Sequence, residues 1–357
     1  MASPTTTPIL ILDGGLGTSL QDHYNIAFTS TDTPLWSSHL MISDPKTLLS
    51  CQRDFTTTAA VDVLLTATYQ VSPEGFLRTK TPSHPTGIPR ASIAPYLRTA
   101  LDVAGQAVQD TSASVALSLG PYGACMIPGQ EYSGAYDGEH DTEEKLWGWH
   151  VDRLSLFNDE AVATKLSERV KYIAMETVPR IDEVRAVRRA VGSSEFCSGI
   201  PFWVACVFPL EDKDTLPDGG TVDEVVEAAL LPIDGGATPW GIGINCTKMH
   251  KLPRLVGLFA DAVGRLLRDG RIKERPALVL YPDGTQGEVY NTTTQTWEKK
   301  VKDKSGGAGD SRPWEVQLAQ VVNDACATSQ FSSVLVGGCC KASFNDIKRL
   351  REQLRPE

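Results

Sequence analysis

The sequence predicts a single-domain α/β protein folded as a (β/α)8 TIM barrel. Three observations lead there. Short apolar runs rich in β-branched residues recur eight times along the 357 residues. Stretches long enough for amphipathic helices separate them. The residues best suited to chemistry fall at the C-terminal ends of the runs, which in a barrel share one mouth. A doubly wound open sheet is the competing arrangement, because it uses the same strand–helix alternation.

The eight runs are Ile9–Asp13, Val61–Thr68, Ser114–Gly120, Tyr172–Thr177, Phe202–Phe208, Trp240–Cys246, Ala277–Pro282 and Val334–Cys340. They lack polar alternation, which suits strands buried on both faces of a parallel sheet. Helical stretches lie between them at Pro45–Ala59, Ile93–Gln109, Ile181–Ala190, Val222–Leu231 and Leu252–Leu267, and Phe344–Leu354 reads as a closing helix. The segment 79–90 is rich in Pro, Thr and Ser and reads as a loop. The segment 299–313 carries Lys, Asp, Ser and Gly and reads as a mobile insertion. No break in composition marks a domain boundary, so one barrel domain is expected over 1–357.

Composition narrows the class. The chain is 41% hydrophobic and 22% charged, ordinary for a globular protein able to build a large core. A net charge of −10 lacks the basic footprint of a nucleic-acid binder. No apolar run approaches the roughly 20 residues that span a bilayer. Residues 1–8 carry no basic region of the kind a signal peptide needs. The eight scattered cysteines fit reduced thiols better than a disulfide framework. A cytoplasmic protein acting on small molecules is the expectation, with no oligomeric state specified.

Cys246, in Gly-Ile-Asn-Cys, and Cys339-Cys340, after Gly337-Gly338, end two of the strand-like runs. In a barrel these ends are near neighbours, so the three thiolates can form a tripod. Thiolates favour zinc, and three protein ligands leave an open fourth position, the mark of a catalytic rather than a structural site. The two glycines are expected to supply the backbone freedom that turns adjacent cysteines to one metal. On pattern alone the metal reading and a reading as buried, inert cysteines stand level. Cys51, Cys125, Cys197, Cys206 and Cys326 read as core residues.

Asp13 and Glu176 are acidic residues at the ends of apolar runs. A carboxylate there is costly unless it pairs with a cation, such as a ligand's ammonium group, or caps the following helix. Gly14-Gly15-Leu16-Gly17 lacks the third glycine of a dinucleotide fingerprint and reads as a tight turn. His150 and Arg153 read as structural helix residues. Trp36, Trp147 and Trp149 read as core or pocket lining.

Together, Leu12-Asp13-Gly14-Gly15-Leu16-Gly17-Thr18, Leu35-Trp36-Ser37, Thr68-Tyr69-Gln70, Gly120-Pro121-Tyr122-Gly123-Ala124, Glu176-Thr177, Gly243-Ile244-Asn245-Cys246 and Gly337-Gly338-Cys339-Cys340 resemble the homocysteine S-methyltransferase family. The resemblance is closest to the branch using S-methylmethionine or S-adenosylmethionine. In the betaine-using branch a tyrosine follows the glutamate; here it is Thr177. The resemblance implies a barrel with one Zn2+ on Cys246, Cys339 and Cys340, and a homocysteine thiolate activated by that metal with no separate catalytic base. It implies that Asp13 and Glu176 hold the amino acid end of homocysteine, with nearby backbone amides, Gly14 among the substrate-binding positions. Trp36 and Tyr69 would lie near acceptor or donor, and Asn245 would orient a zinc ligand or touch substrate. Asp283, where many relatives carry Asn, and the 299–313 insertion are departures that bear on the donor. Two alternatives share these residues: a betaine- or other-donor thiol or selenol methyltransferase, and a non-catalytic zinc or redox barrel.

Overall fold

Eight parallel strands form one sheet in which each strand neighbours its successor. They are β1 (Ile9–Ile11), β2 (Val63–Leu65), β3 (Ser114–Leu119), β4 (Tyr172–Val178), β5 (Phe202–Cys206), β6 (Gly241–Asn245), β7 (Ala277–Tyr281) and β8 (Val334–Val336). β8 pairs with β1 from Ile9↔Val334 to Ile11↔Val336. A parallel bridge, Leu12↔Val63, joins β1 to β2 and closes the ring. The computed structural model describes residues 7–159, 162, 165–285, 288–291, 296–299 and 312–356. The expected 299–313 insertion falls largely outside these residues.

Around the barrel run α1 (Pro45–Thr57), α2 (Ala94–Val108), α3 (Glu143–Ser155), α4 (Ile181–Ser193), α5 (Val222–Leu230), α6 (Leu252–Arg268), α7 (Trp314–Ala327) and α8 (Phe344–Leu354). Their starts are encoded locally. Asp44 accepts the Thr47 N–H before Pro45, and Thr221 and Glu224 form a reciprocal capping box for α5. Ser343 and Asp346 do the same for α8. A short antiparallel hairpin, Glu288–Asn291 with Thr296–Lys299, follows β7. No helix among the described residues is long and apolar enough to cross a membrane.

The core has two parts. Strand residues facing outward, such as Ile173, Val204, Ile242 and Leu278, pack against the helices. Alternate residues facing inward fill the barrel: Leu12, Val63, Ala116, Ala174, Trp203, Val279 and Leu335. Both faces are apolar, which is why the runs show no polar alternation.

The paired strands are shorter than the apolar runs. The run 61–68 pairs only over Val63–Leu65, and 334–340 only over Val334–Val336. At and beyond those ends, backbone amides turn to partners at the mouth. Leu65 N donates to Asp13 Oδ2 at 2.8 Å, Gly338 N to the Asp13 carbonyl at 3.0 Å, and Cys339 N to the Pro282 carbonyl at 2.8 Å.

Candidate active site and metal centre

Strand parity builds the site. Along β4 the inward residues are Tyr172, Ala174 and then Glu176; along β3 they are Ala116 and then Ser118. The same alternation carries Asn245 and Tyr281 to the top of the interior on β6 and β7. These top residues, with the loops beyond the strands, line a cavity at the barrel mouth. Asp13, Gly14, Trp36, Tyr69, Glu176, Asn245, Cys246, Cys339 and Cys340 all line it.

The three cysteines meet. The sulfurs of Cys246 and Cys339 are in direct contact, their Cα atoms 5.5 Å apart despite 93 residues of separation, and Cys340 Sγ lies 3.9 Å from Cys339 Sγ. The three sulfurs converge on one point at the mouth. Asp283 joins the group: its carboxylate and the three sulfurs present ligand atoms all within 4.8 Å of one another. Asp283 Oδ1 is buried without a partner, and Lys248 Nζ sits 3.4 Å from Oδ2. Four groups that carry negative charge when ionised, answered by one lysine, form a donor set that suits a thiophilic cation. The residues therefore fit a zinc ion. A Cys246–Cys339 disulfide and metal binding would exclude each other, because ligation needs both thiolates.

Asn245 orients the first thiol. Its Nδ2 donates to Cys246 Sγ at 3.4 Å and to Thr177 Oγ1 at 2.8 Å, while its Oδ1 accepts the Thr177 N–H at 2.9 Å. Thr177 Oγ1 also reaches Cys246 Sγ at 3.7 Å. Among non-glycine residues with positive φ are Trp36 (46°), Thr177 (59°), Cys246 (48°) and Lys341 (63°). All four are in the site or adjoin it, and for β-branched Thr177 the conformation is costly. Gly337 and Gly338 are not in this class, which corrects their expected role. Their value is space: a Cβ on Gly337 would strike the Asp13 carbonyl, and one on Gly338 would strike Ala342. This close approach brings the Asp13 loop against the Cys339 loop.

The carboxylates lie deep. Glu176 accepts from Ser118 Oγ and from Tyr281, whose hydroxyl also receives Trp203 Nε1 at 3.2 Å. Burial pushes the Glu176 carboxyl up to about 7, against those hydrogen bonds. Burial also holds Asp13 well above the usual carboxylate range; the Leu65 N–H opposes the shift and the Glu176 charge adds to it. Asp13 Oδ1 is buried without a partner. The floor of the cavity thus holds two buried acids whose ionised forms a cation would stabilise.

Two positions at the barrel mouth escaped the sequence. Glu131 lies in the loop after β3, buried, lining the same cavity, with Oε2 unpartnered. Burial pushes its carboxyl up to about 7. Its neighbour Tyr132 hydrogen-bonds to the Cys340 thiol. The bracketing glycines of Gly129-Gln130-Glu131-Tyr132-Ser133-Gly134 were the available signal, since the loop has no strand or helix period. The other is Arg153 on α3, expected to be structural. It is fully buried, and its guanidinium donates to the carbonyls of Tyr69, Val71 and Gly120, pinning two loops of the mouth.

A parallel eight-stranded barrel with a cluster of thiols and buried acids at its mouth defines a protein of the TIM-barrel class. The family model described as Homocysteine S-methyltransferase matches residues 10–354. The chain belongs to the homocysteine S-methyltransferase family, whose members are methyltransferases. It is 28% identical to homocysteine S-methyltransferase 2 of Zea mays, covering 97% of this chain and 89% of that one. It is 26% identical to the betaine-homocysteine S-methyltransferase of Drosophila melanogaster, covering 97% and 94%. The metallated form of the homocysteine methyltransferase MmuM from Escherichia coli shares the fold at a TM-score of 0.64 and 24% identity, covering 97% and 96%.

Proposed function

We propose that this chain transfers a methyl group from a sulfonium donor, S-methylmethionine or S-adenosylmethionine, to the thiol of L-homocysteine, giving methionine. The observation that carries the reading is the convergence of Cys246, Cys339 and Cys340 beside the buried carboxylates of Asp13 and Glu176. Those three thiolates would hold a zinc ion, which when bound supplies the Lewis acidity that keeps a substrate thiol deprotonated at neutral pH.

The chain's own residues do the rest. Asp13 and Glu176 are placed to take the homocysteine ammonium, whose charge relieves their burial. Gly14 lines the cavity beside Asp13, within reach of the homocysteine carboxylate. Asn245 and Thr177 fix the Cys246 sulfur by hydrogen bonds. Trp36 and Tyr69 wall the cavity and keep water from the reacting sulfur. The acceptor thiolate attacks the donor methyl carbon in line. The old methyl–sulfur bond breaks, its electron pair stays on the donor sulfur, and the positive charge vanishes. No proton moves in the transfer itself, so no general base is required.

The test is methionine formation from homocysteine and S-methylmethionine by reduced, zinc-loaded protein, with and without a chelator. Chelator-sensitive methionine is the expected result. None from any sulfonium donor defeats the reading.

A further inference from the structure

The cavity has two carboxylates on its floor for the acceptor, Asp13 and Glu176, and a third, Glu131, whose Oε2 has no partner. Asp13 and Glu176 are anchored to the strand layer through Leu65 and Ser118. Glu131 comes from the overlying loop, which packs on Gly123 and ties to Cys340 through Tyr132. It therefore lines the cavity from a loop rather than from the strand layer that carries Asp13 and Glu176. Its Oε2 is buried and unpartnered. A buried carboxylate oxygen without a donor is costly, and a ligand N–H relieves that cost.

We propose that Glu131 forms the donor subsite and takes the primary ammonium of an α-amino sulfonium donor. The inference rests on the proposed function and narrows it. S-Methylmethionine and S-adenosylmethionine both carry three N–H bonds at this group. A betaine carries a quaternary nitrogen with none, so it leaves Oε2 unsatisfied. A site built to hydrogen-bond a group rejects an analogue lacking it far more strongly than a pocket rejects a missing methylene.

The experiment uses full-length zinc-loaded protein with three donors: S-methyl-L-methionine, its deaminated analogue 4-dimethylsulfoniobutanoate, and betaine. Wild type is expected to prefer S-methylmethionine over the analogue by roughly 30- to 100-fold in kcat/KM, the worth of a hydrogen bond to a charged group. Glu131→Gln should remove most of that preference through the KM for S-methylmethionine. It should leave the analogue, the homocysteine KM and the zinc content unchanged. Glu131→Asp, which keeps the charge, should recover part of the preference. Calorimetric binding of S-methylmethionine should weaken in parallel. An unchanged preference in Glu131→Gln, or a rise in the homocysteine KM instead, overturns this inference while the proposed function stands. A wild type that turns over no sulfonium donor overturns both.

Discussion

Arg153 Nη2 donates to the carbonyl of Tyr69 at 2.6 Å, so a residue on the outer ring of helices fixes a wall of the site. Nε reaches the Val71 carbonyl at 2.6 Å, and Nη1 takes that of Gly120. One planar cation holds three carbonyls from two loops in a fixed fork geometry, which a shorter lysine with a single nitrogen would not reproduce at this spacing. Arg153→Lys should lose two of the three bonds and cost on the order of 3 kcal/mol, given about 1.5–3 for each hydrogen bond to a charged group. Urea denaturation checks this: the midpoint should fall with the slope unchanged. A change within about 0.5 kcal/mol would show that the guanidinium is not holding these loops.

Asn245 should matter to the metal without binding it. Its amide both donates to Cys246 Sγ and locks Thr177, the second donor to that sulfur. Asn245→Ala should lower zinc affinity by roughly 10- to 100-fold, as loss of such supporting hydrogen bonds usually does. Competition with a chromophoric chelator measures it. Cys246→Ala, by contrast, should abolish both zinc retention and turnover. Equal zinc affinity in wild type and Asn245→Ala would remove Asn245 from the metal site.

What could be read in the sequence follows from what was local. The strands were legible because burial on both faces writes continuous apolar runs. Asp13, Glu176, Asn245 and the three cysteines were legible because strand ends converge in a barrel, wherever they fall in the chain. Glu131 was not, because a loop residue reaches the cavity only through packing that no period announces. Arg153 looked structural because its meaning lies in carbonyls contributed by two distant loops. Gly337 and Gly338 were found for the wrong reason. Their effect is on the spacing between two loops, which a single segment of sequence does not express.

The pairing of Cys246 with Cys339 predicts how oxidation inactivates the protein. In the reduced protein the two sulfurs would be neighbours, and their Cα separation of 5.5 Å is one that a disulfide spans. A thiol oxidant such as diamide should remove two titratable thiols, become reduced to its hydrazine, and abolish zinc uptake. Dithiothreitol should restore both. Cys339→Ser should block this loss of thiols. Full zinc uptake by protein whose thiol count has fallen by two would place the bond elsewhere.

Glu131 also makes stability depend on pH. Its folded-state carboxyl is raised from 4.5 to about 7 by burial. Below about pH 4.5 the group is neutral whether the chain is folded or not, so it imposes no penalty. Between there and about 7 the unfolded chain gives up the proton and the folded chain keeps it, so stability falls as pH rises. Above 7 the full cost is present, on the order of 3 kcal/mol, since each tenfold change in proton affinity is worth about 1.4 kcal/mol. Glu131→Gln stays neutral throughout. Its stability relative to wild type should therefore improve by on the order of 2 to 3 kcal/mol between pH 5 and pH 8, whatever constant offset the amide adds. Urea denaturation of reduced, ligand-free protein at the two pH values measures the difference directly. A gap that does not change with pH would mean that Glu131 is solvated in the folded chain and has no unmet need for a cation.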